Sequence, residues 1–255
     1  MLTTYHLILA LHVTAGLIGL AAFWTPALVR KGGAAHVQVG RVFYWCTCII
    51  AATGTVMAAL LLAVPLAVKP VPPDVGVERA EAVARGIRLT APFLFYLVLI
   101  TFAPVYHGVR VLATRRAPEQ LRTPFHTALH VVTIAASAGM IALGLWTNRP
   151  VFLALSPIGF LIGFGDLRFA RRPYPSRMAW WYEHMNSMLG GGIAFHTAFL
   201  VLGSGRLLGI SLDGAWAVLP WLLPTIIGVP ASAIWTRYYR RKFGEDGRIG
   251  AVVTS

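Results

Sequence analysis

Seven long stretches of the chain carry no Asp, Glu, Lys or Arg, and no other feature restricts the possible folds as strongly. A helix rises about 1.5 Å per residue, so about 20 apolar residues are needed to cross a bilayer core of about 30 Å. The charge-free windows are residues 1–29, 42–68, 89–109, 123–148, 150–165, 184–205 and 214–236. They predict an all-α, polytopic membrane protein with one domain, residues 1–242, built as a seven-transmembrane-helix bundle.

We place the spans with small adjustments for the flanking residues. They lie near residues 5–29, 42–66, 89–110, 123–147, 150–166, 181–204 and 214–237. The fifth is short and contains Pro150 and Pro157, so we expect it to be kinked, tilted or partly re-entrant. The stretch 66–87, which is Pro-rich before a short helical-looking segment, is the one long connection expected outside the membrane, and residues 243–255 are expected to form a cytoplasmic tail. The first span is expected to be retained, because no basic segment precedes it.

The composition excludes a soluble fold, because only 12% of the residues are charged and 57% are hydrophobic. A soluble domain carries about 25% charged residues. The net charge of +13 would suggest nucleic acid in a soluble protein, so its placement along the chain matters.

The basic residues lie mainly in alternate connections between the spans. Sixteen of them are Arg30, Lys31, Arg41, Arg110, Arg115, Arg116, Arg122, Arg168, Arg171, Arg172, Arg177, Arg237, Arg240, Arg241, Lys242 and Arg248. The other set holds six: Lys69, Arg79, Arg85, Arg88, Arg149 and Arg206. The positive-inside rule then places the N-terminus outside and the C-terminus in the cytoplasm. The expected partner is therefore the lipid bilayer, and no nucleic-acid partner is expected.

Histidines are unusually frequent in these apolar spans. An imidazole in hydrocarbon is unfavourable unless it pairs or binds a ligand, so intramembrane histidines are candidate functional residues. The predicted topology sorts them into an outer group of His6, His12 and His196 and an inner group of His107, His126, His130 and His184, with His36 in the adjacent cytoplasmic loop. The two layers together suit a membrane electron carrier with two haems, and the inner group alone suits a bare metal ion.

The haem interpretation uses both layers. A b-type haem takes two axial imidazoles from facing helices, and small residues let the macrocycle approach the backbone. The candidate cofactor-binding residues are His12, His196, His107, His126, His130 and His184, with Gly16 and Gly190–Gly192 as slots for the ring. The spacing between His184 and His196 argues against it, because twelve residues turn a helix by about 120°.

The metal interpretation uses the inner group alone. His126 and His130 lie four residues apart, which places both rings on one helix face. The candidate ligands are His107, His126, His130, His184, Glu183 and Asp166, a nitrogen and oxygen set suited to zinc or non-haem iron. A zinc site predicts a hydrolase and a di-iron site an oxygenase or desaturase. Ion pairs with the neighbouring arginines explain Glu183 and Asp166 at least as well.

Two segments carry a resemblance to known proteins: LHVTAGLIGLAAFWTPALVRKGGAAHVQVGRVFYW, which contains His12 and His36, and WWYEHMNSMLGGGIAFHTAFLV, which contains His184 and His196. They resemble a prokaryotic family of predicted multi-pass integral membrane proteins of unknown function, which implies a location in the inner membrane of a prokaryote. A wider likeness is to di-haem b-type membrane cytochromes, including the ascorbate-reducible kind. That likeness implies axial pairs of His12 with His196, and of His184 with His107, His126 or His130. The chain departs from it in its seventh helix and its surplus of histidines.

Three functions follow as hypotheses. The first is an oxidoreductase that binds b-type haem and transfers electrons between a quinol or small reductant and an acceptor. The second is a zinc or non-haem iron metalloenzyme acting on a lipid or other amphiphile at the inner histidines. The third is a histidine-dependent transporter or sensor, since imidazole titrates near neutral pH.

Overall fold

The computed structural model describes residues 2–172, 174–203 and 218–245, and these residues are helical almost throughout. The α-helices are α1 (Leu2–Leu28), α2 (Ala34–Ala63), the short α3 (Pro65–Val68), α4 (Val77–Ala113), α5 (Pro124–Thr147), α6 (Pro150–Arg171), α7 (Ala179–Ala198) and α8 (Leu219–Lys242). A 3₁₀ helix covers Pro118–Leu121, and a π-helix, Phe199–Gly203, continues α7. The described residues include no β-strand, and the all-α prediction is confirmed.

Six of these helices are long and apolar enough to cross a membrane: α1, α2, α4, α5, α6 and α8. Helix α7 occupies the sixth predicted span but is not among the six, and it carries Glu183, His184 and Asn186. The described helices are those of a multi-pass membrane protein. The seventh span and the orientation of the termini stay predictions. Residue 204, the start of the last predicted span (214–217) and most of the predicted tail (246–255) lie outside the described residues.

Helix α4 is longer than the sequence predicts. The predicted span covers 89–110, but the helix begins at Val77 and runs for 37 residues, so it includes the helical-looking segment before the span. Residues 77–88 consist largely of Ala, Glu and Arg, which are strong helix formers, and Glu81 lies 3.7 Å from Arg85 one turn later. The connection is therefore only α3 and residues 69–76.

Helix α6 also exceeds its predicted span. It continues from Pro150 to Arg171 without a break, although Pro157 lies inside it. The helix thus extends past residue 166, where the predicted span ends, and Asp166 is buried within it. Charge alone does not end a helix whose charged side chain has partners inside the bundle.

Helix α4 is the centre of the bundle and packs against α2, α5, α6 and α7. Its Phe93, Tyr96 and Ile100 form a buried cluster with residues of α5 and α6. The Tyr96 hydroxyl donates to the Leu155 carbonyl at 2.8 Å and accepts from the Gly159 amide at 3.0 Å. These bonds fix α6 against α4.

Glycines allow α7 to approach α4 closely. A Cβ built on Gly108 would lie 2.7 Å from the Ser187 side chain, and one on Gly191 would collide with Val105. Close approach at small residues is the usual way that membrane helices associate. Gly191 and Gly192 were predicted to admit a haem ring, but Val105 and Phe23 occupy those spaces.

The ends of several helices meet at one end of the bundle. Near the end of α4, Arg110 donates to the Gln120 carbonyl at 2.8 Å, and Arg122, just before α5, donates to the Ala170 carbonyl of α6 at 2.8 Å. We call this the basic end: α4 and α6 finish here, α5 and α7 begin here, and Arg residues are frequent. The positive-inside rule predicts that it faces the cytoplasm.

Glu245, just after α8, binds residues before and within the first turn of α7 at the basic end. Its carboxylate accepts hydrogen bonds from the Ser176 hydroxyl at 2.8 Å, the Met178 amide at 3.1 Å and the Tyr182 hydroxyl at 2.9 Å. Burial works to raise the pKa of Glu245, but these bonds and the nearby Arg177 charge outweigh it and lower the pKa. The carboxylate also lies at the N-terminal end of α7, where negative charge is favourable.

Replacing Gly163 in α6 by Ala is expected to destabilise the protein, and replacing Gly165 is not. A Cβ on Gly163 would lie 2.9 Å from the His130 carbonyl oxygen and would collide with Ile134, whereas a Cβ on Gly165 meets nothing within 4 Å. Overpacking of this kind costs about 1–3 kcal/mol. Thermal unfolding of both variants in detergent measures the difference, and equal midpoints would contradict the close α5–α6 packing.

The hydrogen bonds that Glu245 accepts are expected to stabilise the fold less in acid. Because its folded-state pKa lies below the ordinary value of 4.5, the carboxylate stabilises the fold above that value. This stabilisation is lost as the pH falls through the lowered pKa. Wild type should therefore unfold at a higher temperature than Glu245→Gln at pH 7, and the gap should shrink toward pH 3. Glu81→Gln, which removes an exposed carboxylate, is the control and should show no such gap.

Candidate metal centre

Five of the six predicted metal ligands come together near the basic end. His107 lies in the last two turns of α4, His126 and His130 in the first two turns of α5, Asp166 near the end of α6 and Glu183 near the start of α7. Four helices thus contribute one or two side chains each.

The start of α5 is set by its first residues. Thr123 caps the helix by accepting a hydrogen bond from the His126 amide at 3.1 Å, and Pro124 occupies the first turn, where a missing N–H has no consequence. This start places His126 and His130 on the inward face. Both are fully buried, as is His107.

The three histidine rings contact one another. The ring centroids of His126 and His130 are 4.3 Å apart, and those of His107 and His126 are 5.2 Å apart. His107 Nδ1 and His126 Nε2 share a hydrogen bond of 2.9 Å. One ligand atom from each histidine can be chosen so that all three lie within 4.8 Å of one another.

Two carboxylates complete the cluster. Asp166 Oδ2 lies 2.8 Å from His130 Nε2, and Glu183 Oε1 lies 3.1 Å from His107 Nε2. Asp166 Oδ1 lies 3.8 Å from His107 Nε2. His107, Asp166 and Glu183 form a second set with ligand atoms within 4.8 Å of one another. Among the described residues neither carboxylate pairs with an arginine, so the predicted arginine pairs are replaced by histidines.

The protons of the cluster are constrained by its partners. His130 Nδ1 faces the His126 carbonyl at 2.7 Å, so it carries the hydrogen. Its Nε2 then presents a lone pair to the Asp166 carboxylate unless it binds a second proton or a cation. Two carboxylates inside the bundle therefore call for positive charge in the cluster, either from a proton or from a cation.

His184 was predicted to join this cluster, and the structure places it elsewhere. Its Nδ1 donates to the Gly108 carbonyl at 3.0 Å. Neighbouring residues on a helix point about 100° apart, so Glu183 and His184 face different sides. Equal depth was a poor guide because it ignores the direction around the helix axis.

The predicted outer pair is not formed either. His12 shares a hydrogen bond of 2.8 Å with Thr53 of α2, whereas His196 accepts from the Trp24 indole at 3.0 Å and donates to the Gly192 carbonyl at 2.7 Å. Trp24 lies twelve residues after His12 on α1, which is about 18 Å along the helix. The prediction of equal depth is wrong, because His196 contacts α1 at Trp24, and His12 lies about 18 Å away along that helix.

Sequence reasoning overlooked two side chains near the cluster. Arg110 lies one turn after His107 within electrostatic range of His126, and Tyr174 lies in the connection before α7 near Glu183. Burial raises the pKa of the Tyr174 phenol, and the charges of Glu183 and Glu119 raise it further, so it remains a proton donor. The position of Arg110 three residues after His107 was the signal that could have found it.

Three polar atoms around the cluster are buried without a hydrogen-bond partner in the described part of the chain. They are His126 Nδ1, Arg110 Nε and the Tyr174 hydroxyl. Buried polar groups are normally satisfied, so their grouping around one cluster is typical of a site that binds a ligand.

Removing the Asp166 side chain is expected to destabilise the fold strongly. Asp166→Ala would leave His130 without its partner inside the bundle, and breaking one half of a buried pair costs about 3–5 kcal/mol. Asp166→Asn retains an acceptor oxygen and should lose less. The measurement is thermal unfolding with a chelator present. The matched control is Glu81→Ala, whose exposed pair with Arg85 should matter by less than about 1 kcal/mol.

Comparisons with known proteins give no family for this chain: no protein-family model, curated protein or solved structure matches it. The resemblance to membrane proteins of unknown function and to di-haem cytochromes stays a prediction.

Proposed function

We propose that the protein is a membrane metalloenzyme that binds one zinc ion at the His107, His126 and His130 cluster and hydrolyses a lipid or another amphiphile. The observation that carries the proposal is the meeting of three fully buried imidazoles with two carboxylates, all drawn from four helices. Zinc is the cation that such a nitrogen-rich set binds in a hydrolase, and non-haem iron is the alternative.

The hydrogen bonds indicate which nitrogens are available as ligands. His130 Nδ1 donates to a carbonyl and His107 Nε2 faces Glu183, which leaves His130 Nε2 and His107 Nδ1 for the ion. Metal-bound histidines usually donate their other N–H to a carbonyl or carboxylate in this way. The third ligand is His126 Nε2, which already lies 2.9 Å from His107 Nδ1. Nitrogens on a tetrahedral zinc are about 3.3 Å apart, so this pair would have to separate by only a few tenths of an ångström.

The carboxylates give the site its chemistry. A zinc ion with three protein ligands keeps a position for water and lowers the pKa of that water to about 7. Asp166 lies beside His130 Nε2, where it would serve as a fourth ligand or accept the proton of the water, and Glu183 would orient His107. The positive charge also compensates the two carboxylates, which neutral imidazoles do not.

Haem is the weaker proposal for the same residues. His107 and His126 share a hydrogen bond, so no macrocycle fits between their facing nitrogens. His12 and His196 have separate partners, and His184 is bonded to the backbone of α4. Electron transfer with a quinone or small reductant would require these helices to rearrange, whereas metal binding uses the arrangement as it stands.

The purified protein is expected to contain about one zinc per chain and no porphyrin. His126→Ala and His130→Ala should each lose the metal, and His184→Ala, the matched control on α7, should retain it. Metal binding should weaken below about pH 6, because the imidazole ligands must be deprotonated. Elemental analysis and a reduced-minus-oxidised spectrum provide the measurements.

Each alternative outcome has its own signature. Stoichiometric iron without porphyrin would contradict the zinc hydrolase and support an oxygenase that uses the same residues. A Soret band that disappears in His126→Ala would support haem and contradict the zinc proposal. A protein that binds neither metal nor haem after exposure to both would leave the cluster as a structural network that joins α4 to α7.

A further inference from the structure

We propose that Arg110 binds the anionic head group, a phosphate or carboxylate, of an amphiphilic substrate beside the metal cluster. The inference rests on the proposed function and assigns its substrate class. It is carried by the position of Arg110, its hydrogen bonds and the apolar side chains next to it.

Arg110 lies on the same face of α4 as His107. Arg110 is three positions after His107, which is slightly less than one turn, or about 4.5 Å along the axis toward the basic end. Arg110 is also within electrostatic range of the His126 imidazole and the Tyr44 hydroxyl. It therefore lies at the basic end, next to the cluster. A lipid head group would lie at this level if the helices span the bilayer as predicted.

The guanidinium is only partly satisfied. Nη2 donates to the Gln120 carbonyl at 2.8 Å, but Nε is buried and has no partner in the described part of the chain. Within the same residues no carboxylate forms an ion pair with Arg110. Asp166 and Glu183, the nearest acids of the cluster, face His130 and His107 instead.

An oxyanion is the ligand that satisfies such a group. Guanidinium binds phosphate and carboxylate through parallel, charge-assisted hydrogen bonds, which are about twice as strong as neutral ones. A neutral head group would leave the charge without a counterion. The chemistry of Arg110 therefore selects an anion.

The neighbouring side chains favour an amphiphile over a soluble anion. Tyr106, just before His107, packs edge-on against Phe125 with ring centroids 5.1 Å apart. Phe125 is 55% exposed on the outside of the bundle and directly precedes His126. An acyl chain that lies along Tyr106 and Phe125 would bring its head group to Arg110.

The test measures ligand binding to the full-length, zinc-loaded protein in neutral detergent. The probes are dihexanoyl phosphatidic acid, dihexanoyl glycerol and inorganic phosphate. We expect the anionic lipid to bind at least tenfold more tightly than the other two. Arg110→Gln should weaken the binding of the anionic lipid about tenfold and leave the binding of the neutral lipid unchanged. Arg110→Lys should bind the anionic lipid with an affinity between those of Arg110→Gln and wild type.

Arg168→Gln is the matched control. Arg168 is exposed on the outer face of α6 at the same end of the bundle, beside a shallow groove that includes Phe160, Leu161 and Phe164. It should bind all three probes as wild type does. An equal loss in this variant would show that the basic surface attracts anions in general and would overturn the assignment to Arg110.

The remaining outcomes separate this inference from the proposed function. Unchanged lipid binding in Arg110→Gln with zinc retained would overturn the head-group site and leave the metalloenzyme intact. If the protein takes up no metal but still binds the anionic lipid in a way that depends on Arg110, the anion site is supported and the metalloenzyme is contradicted. If inorganic phosphate binds as tightly as the anionic lipid, the inference that the ligand is an amphiphile is overturned. If Arg110→Gln does not fold, Arg110→Lys decides, because it keeps the charge but lacks Nε and should bind several-fold more weakly.

Discussion

The burial of three imidazoles against two carboxylates is the constraint to which the rest of the structure conforms. Each group is unfavourable in hydrocarbon, and each is stabilised only by partners on other helices. His107 joins α4 to α5 and α7, and Asp166 joins α6 to α5. The helices that supply these groups are held by close contacts at small residues, such as Gly108 and Gly163. Packing and polar pairing thus favour the same arrangement.

Much of the fold follows from charge spacing alone. Six of the seven predicted spans coincide with helices long and apolar enough to cross a membrane, because any charged side chain in lipid is unfavourable wherever it occurs. The errors lie where this rule does not apply. Residues 77–88 are charged yet helical, since Ala, Glu and Arg favour a helix outside lipid as well. Asp166 is charged yet inside α6, since His130 partners it.

The site was predictable to the extent that it depends on spacing within one helix. The four-residue spacing of His126 and His130 fixes their common face, and the inner position of His107, Asp166 and Glu183 follows from their distance to helix ends. Rotation about each axis does not follow, because it depends on how neighbouring helices pack. This is why His184 was included wrongly and Arg110 was overlooked. The match of His12 with His196 failed for a related reason, since a residue count along each helix does not give the level at which α1 and α7 contact each other.

The sequence separation of the partners has a consequence for how the chain is made. His107 and His126 are 19 residues apart, but the carboxylates arrive later, with Asp166 36 residues after His130 and Glu183 76 residues after His107. During synthesis α4 and α5 enter the bilayer before α6 and α7 exist. Imidazole is the one side chain that can enter the bilayer as a neutral group near pH 7 and later bind a proton or a cation. The choice of histidine on the early helices and carboxylate on the late ones matches the order in which the ribosome delivers them.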